Sequence, residues 1–125
     1  MMKREMDIMM KEAIETLVET IKNDYREWTY RCAMSRGDGE LTETSKRMME
    51  DFEDRVRYEE GRKYIKVFQG NSVWGFIVNV ENDNKFRKGD ILMAAGYNAP
   101  ARNKPRGNIL DGGYNIRWTG PNYLI

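Results

Sequence analysis

The chain of 125 residues has no histidine, one cysteine (Cys32) and three prolines. Without histidine there is no Ser-His or Cys-His dyad, and the side chain that most often serves as general base or metal ligand at neutral pH is missing. A lone cysteine makes no internal disulfide, and with no histidine beside it a zinc site lacks its usual ligands. No apolar run approaches the roughly 20 residues of a membrane span. The N-terminal stretch alternates charge with Met and Ile instead of showing a signal-peptide pattern, so a cytoplasmic protein is expected. An enzyme built from this inventory would have to work with carboxylates, Lys, Arg or Tyr. Binding is therefore expected ahead of catalysis, with no metal and no cofactor.

The length fits one domain over residues 1–125. Its net charge of +1 conceals an asymmetry: residues 1–60 carry 11 Lys/Arg against 16 Asp/Glu, and residues 61–125 carry 10 against 4. From Met2 to about Met34 there is no Gly or Pro, and Met6, Met10, Ile14, Leu17, Ile21, Trp28 and Cys32 form a heptad-like apolar stripe, broken at Asp24. A helix of about 30 residues would be about 45 Å long, longer than a domain of this size is wide, so part of it is expected to meet another chain. Arg36-Gly37-Asp38-Gly39 supplies the stop. Leu41 to about Glu60 reads as a second amphipathic helix, with Met48, Met49, Phe52 and Val56 on one face and Thr42 as a cap. Residues 1–60 thus predict a helical hairpin.

After Gly61 the period changes to that of strands. Lys63–Phe68 and Val73–Val78 flank a Gly70-Asn71 turn, Asp90–Ala95 predicts a third strand, and Tyr114–Thr119 predicts a later one. Helices followed by strands, with no βαβ alternation, argue for an α+β fold whose second half, residues 61–125, is a mainly antiparallel sheet or small barrel.

The most distinctive segment is Gly96 to Asn108, Gly-Tyr-Asn-Ala-Pro-Ala-Arg-Asn-Lys-Pro-Arg-Gly-Asn. Arg102, Lys104 and Arg106 have no acidic neighbour in sequence between Asp90 and Asp111, and Tyr97 offers a ring on which a base can stack. Guanidinium groups engage phosphate oxygens through paired hydrogen bonds, which nominates Arg102 and Arg106. Gly107 would let backbone amides approach a phosphate, and Asn108 would donate and accept at a base or ribose.

The order of several motifs in this half resembles the first family of phage anti-Thoeris proteins. They are Ser72-Val73-Trp74-Gly75-Phe76-Ile77, Lys88-Gly89-Asp90-Ile91-Leu92, Tyr97-Asn98-Ala99-Pro100-Ala101, Arg106-Gly107-Asn108-Ile109 and Trp118-Thr119-Gly120-Pro121-Asn122-Tyr123-Leu124. Met93 and Lys104-Pro105 depart from the pattern. The resemblance implies helices beside a β-sheet, assembled into homo-oligomers of two or more chains, up to a hexamer. It implies a sponge that holds cyclic ADP-ribose isomers made by bacterial TIR-domain defence enzymes without cleaving them, with cyclic oligonucleotides as a further ligand class. On this reading Tyr97, Asn98, Arg102, Arg106, Gly107, Asn108 and Thr119 form the ligand site. Arg26 and Arg31, about 140° apart on an ideal helix, would serve it from the helical half, one of them toward a neighbour's site, while Trp28 continues the apolar stripe.

Two other classes fit the same composition. A single-stranded nucleic-acid-binding module would use Tyr64, Phe68, Trp74 and Phe76 as stacking platforms. A carboxylate-dependent hydrolase would place a divalent cation between Asp90 and Asp111.

Overall fold

The computed structural model describes residues 8–35 and 41–121. The expected helix start before Ile8, the Arg36–Gly39 stop and Asn122-Tyr123-Leu124 lie outside the described residues. The first helix, α1, runs Ile8–Ser35 and the second, α2, runs Glu43–Arg55. Thr42 caps α2: its Oγ1 accepts the backbone N–H of Ser45 at 3.0 Å, satisfying one of the amides that a helix start leaves unpaired.

An antiparallel sheet follows in the order β1 (Val56–Glu60), β2 (Tyr64–Gln69), β3 (Ser72–Val78) and β4 (Ile91–Leu92). The sheet is open, so the barrel alternative is not realised among the described residues. Two ribbons complete the chain, β5 (Ala94–Gly96) with β6 (Ala99–Pro100), and β7 (Ile116–Arg117) with β8 (Gly120–Pro121). The fold is α+β, as the order of periodicities predicts.

Three boundaries differ from the sequence reading. The second helix stops at Arg55, because Val56–Glu60 pairs with Ile65–Gln69 as an antiparallel strand. Helix-compatible charges there gave no warning; the partner that claims them lies beyond Gly61. The expected Asp90–Ala95 strand divides at Met93, one part pairing with β3 and the other with β6. The expected Tyr114–Thr119 strand shrinks to the two residues of β7 and turns back through Trp118-Thr119.

The inner face of the sheet packs on α1. Met10, Ile14, Leu17, Val18 and Ile21 join Val56, Ile65, Val67, Trp74, Ile77 and Ile91 in one buried cluster. Met10, Ile14, Leu17 and Ile21 of the stripe are thus covered within the chain, while Trp28, which continues it, is 40% exposed. Asp24, the break in the stripe, accepts the backbone N–H of Trp118 at 2.8 Å and so ties α1 to the β7–β8 turn. A register shift at Val67/Phe68 leaves Trp74 unpaired in β3, and its indole donates to the Arg117 carbonyl at 2.8 Å. The outer face carries a second, smaller cluster of Phe76, Val78, Phe86 and Leu92.

Candidate functional site

The β5–β6 ribbon presents Tyr97 and Asn98 at its turn, on the outer face of the sheet. Tyr97 is 58% exposed, and the Lys66 ammonium lies 4.3 Å from its ring centroid. Lys66 Nζ donates to Asn98 Oδ1 at 2.8 Å, so the lysine is held between the two loop residues. One strand over, Arg57 lies 4.0 Å from the centroid of buried Phe68, its cross-strand neighbour, and pairs with exposed Glu59. Beside this group is a hollow of about 300 Å³ lined by Glu59, Glu60, Gly61, Arg62, Lys63, Tyr64, Lys66 and Phe76. Tyrosine face, cations and amide thus gather on one surface, the set that a base and its phosphates require.

Lys66 and Arg57 did not stand out in the sequence. The signal available was alternation: Lys66 sits between Ile65 and Val67, and Arg57 between Val56 and Tyr58, so each points away from the core. For Arg57 that signal was lost when its segment was read as helix.

The basic loop itself is used differently from the expectation. Arg102 makes two hydrogen bonds to Asp83, at 2.9 and 3.0 Å, and one to the Tyr64 hydroxyl at 2.5 Å, while its guanidinium lies over Phe86. The Asp83 side chain is only 1% exposed; it also accepts the backbone N–H groups of Lys85 and Phe86, and Lys63 approaches it at 3.8 Å. The counterion that the linear sequence withholds from Arg102 arrives in space from 19 positions upstream. Arg102 is therefore a structural clamp. Arg106 donates to Asn103 Oδ1 and to the Lys104 carbonyl, folding the loop on itself.

Arg102 and the two amides hold the Asp83 carboxyl well below the usual carboxylate range. A depressed pKa stabilises the fold while the carboxylate is charged, fully above the unfolded value near ~4, and that contribution is lost as pH falls through the folded value. Asp83→Asn is expected to melt below the wild type by a constant margin between about pH 6 and 8, and the margin is expected to narrow below about pH 4. Thermal melts across that range check it; a margin that does not change with pH would contradict the assignment.

Asn108 faces inward. It is 6% exposed and donates to the Lys88 carbonyl and to Asp90 Oδ1, both at 2.9 Å, while its Oδ1 accepts the amide of Leu110 at 2.8 Å. Gly107 pairs with β4 through its carbonyl, which accepts from Ile91 N–H, and its φ of +141° places an added Cβ 2.7 Å from Tyr114 Cβ. Close packing explains that glycine. Asn108 and Tyr97 do not share a cavity, so the expected single pocket spanning both is corrected.

The remaining expected residues also divide. Thr119 is exposed at the β7–β8 turn. Arg26 pairs with Glu53 and Glu19, which raise its pKa, and so bridges α1 to α2. Arg31 is exposed on α1. The two acids of the hydrolase alternative have protein partners: Asp90 accepts from Asn108 and the Arg87 amide, and Asp111 pairs with the Arg87 guanidinium. Among the described residues no group of three or more Cys, Asp or Glu could hold a metal ion. Of the four rings named as platforms for a single strand, Phe68, Trp74 and Phe76 are buried, and Tyr64 is half-buried at the hollow. No described helix is long and apolar enough to cross a membrane.

The chain matches no family model, no curated protein and no solved structure, so the resemblance in its second half stands on the quoted residues alone.

Proposed function

We propose that the protein is a non-catalytic nucleotide sponge that holds a cyclic ADP-ribose-type signal and so blocks a TIR-dependent anti-phage defence in the bacterial cytoplasm. The observation that carries this reading is the exposed Tyr97 ring with Lys66 over it, anchored by Asn98. A base stacks on Tyr97, Lys66 meets a phosphate, and the Asn98 amide meets a base edge or ribose hydroxyl. Sequestration requires neither a general base nor a nucleophile. Homo-oligomers belong to the same proposal, as do cyclic oligonucleotides as alternative ligands.

Stacking on an aromatic contributes roughly 1–3 kcal/mol per base. Tyr97→Ala is therefore expected to weaken a cyclic ADP-ribose isomer by about tenfold or more without changing the melting temperature. Isothermal titration against the wild type checks the affinity, and denaturing the loaded protein checks the chemistry. Intact ligand should be recovered. Unchanged affinity would remove Tyr97 from the site, and a cleavage product would end the sponge reading.

A further inference from the structure

A second aromatic group lies on the opposite side of the β2 end, where α1, α2 and the β7–β8 turn meet. Tyr25 stacks on Phe52 at 4.0 Å and 9°, and Trp118 stands edge-on to both, at 4.9 and 5.6 Å. Trp28 leans on Trp118 at 5.1 Å and remains 40% exposed. These rings floor a cleft of about 470 Å³, a volume within the range of small-molecule sites.

The cleft is under-filled by its own chain. No residue of α2 is fully buried, although Phe52 sits in the aromatic stack and Met48 lines the same wall. Its rim is polar and faces solvent. The Arg55 guanidinium extends over Gly70 and has no ion-pair or hydrogen-bond partner among the described residues. Gln69 donates through Nε2 to the Trp118 carbonyl, which leaves its Oε1 to accept. Asn71 adds a donor and an acceptor beside it, and Asp51, one turn before Arg55, an acceptor for an amine or hydroxyl.

We infer that this cleft is a binding site for a nucleobase carrying a phosphate: the base lies against Trp28 and Trp118, its edge meets Gln69, Asn71 or Asp51, and the phosphate meets Arg55. The Arg55 charge favours this occupant over a second copy of the chain, because docking an apolar face here would strip water from an exposed guanidinium that makes no ion pair among the described residues. The site is separate from the Tyr97 surface and does not depend on it.

The test is titration of the full chain with adenosine 5′-monophosphate, followed by calorimetry and by tryptophan fluorescence, which Trp28 and Trp118 report from within the cleft. Saturable binding is expected, at least tenfold tighter than for adenosine. Trp28→Ala and Arg55→Gln should each weaken the monophosphate about tenfold or more. The proposal is overturned by no saturation up to roughly 10 mM, by equal affinity for adenosine, or by unchanged affinity in Arg55→Gln. A concentration-dependent dimer that shields Trp28 in light scattering and fluorescence would overturn it too, assigning the cleft to another copy. Should Trp28→Ala fail to fold, the exposed Arg55→Gln alone decides.

Discussion

Alanine at position 108 will lower the unfolding free energy by about 3 kcal/mol, because it removes the hub of a buried network and leaves its partners unsatisfied. Asn108 joins Lys88, Asp90 and Leu110 through three hydrogen bonds of 2.8–2.9 Å. Together with the Asp90–Asn108 bridge, these bonds fix the return of the long basic segment to β4. The expected fall in melting temperature is roughly 10 °C for a chain of this size. Asn108→Asp sharpens the test. It keeps the acceptor for the Leu110 amide but sets a second carboxylate against Asp90, so its deficit should shrink as pH falls toward the carboxylate range. Urea unfolding measures both. Ligand affinity of Asn108→Ala, taken where the variant is still folded, should match the wild type; a selective loss of affinity with normal stability would return Asn108 to the ligand site.

Leu17→Ala is the second large effect, about 3 kcal/mol, within the usual range for truncating a buried leucine. Leu17 is fully buried at the middle of α1, in the cluster it shares with the inner sheet face. Because this cover comes from the same chain, the loss should not depend on protein concentration. Thermal melts over a hundredfold range of concentration give the measurement. A deficit that disappears at high concentration would mean that another chain covers this part of the helix.

The helical stripe was legible because α-helical periodicity is local: Met10, Ile14, Leu17 and Ile21 declare a buried face without reference to any partner. Asp24 looked like a defect in that stripe. Its reason, the Trp118 amide, is 94 positions away. The central hairpin of β2 and β3 was legible for the same local reason, through Gly70-Asn71 between two β-branched and aromatic runs. Strand β1 was not, since its register is dictated by β2 and its own residues suit a helix.

The site divides along the same line. Tyr97 could be nominated because an exposed aromatic at a turn needs no knowledge of the fold. The partner of Arg102 was hidden because Asp83, 19 positions upstream, reaches it only after folding. Asn108 was misread because Gly-Asn is turn chemistry at the surface and hub chemistry in the interior, and the backbone path decides which. The aromatic cleft combines Tyr25, Phe52 and Trp118, drawn from three distant segments, and no spacing rule connects them.

The link between Asp24 and Trp118 also sets an order in time. Translation at roughly 5–20 residues per second separates the synthesis of these two residues by about 5–20 s. During that interval α1 has emerged while the strands that cover its stripe and the turn that fastens it are incomplete. A nascent chain therefore carries Ile14, Leu17 and Ile21 uncovered until the sheet follows, and the last clasp on the helix closes only when Trp118 has left the ribosome.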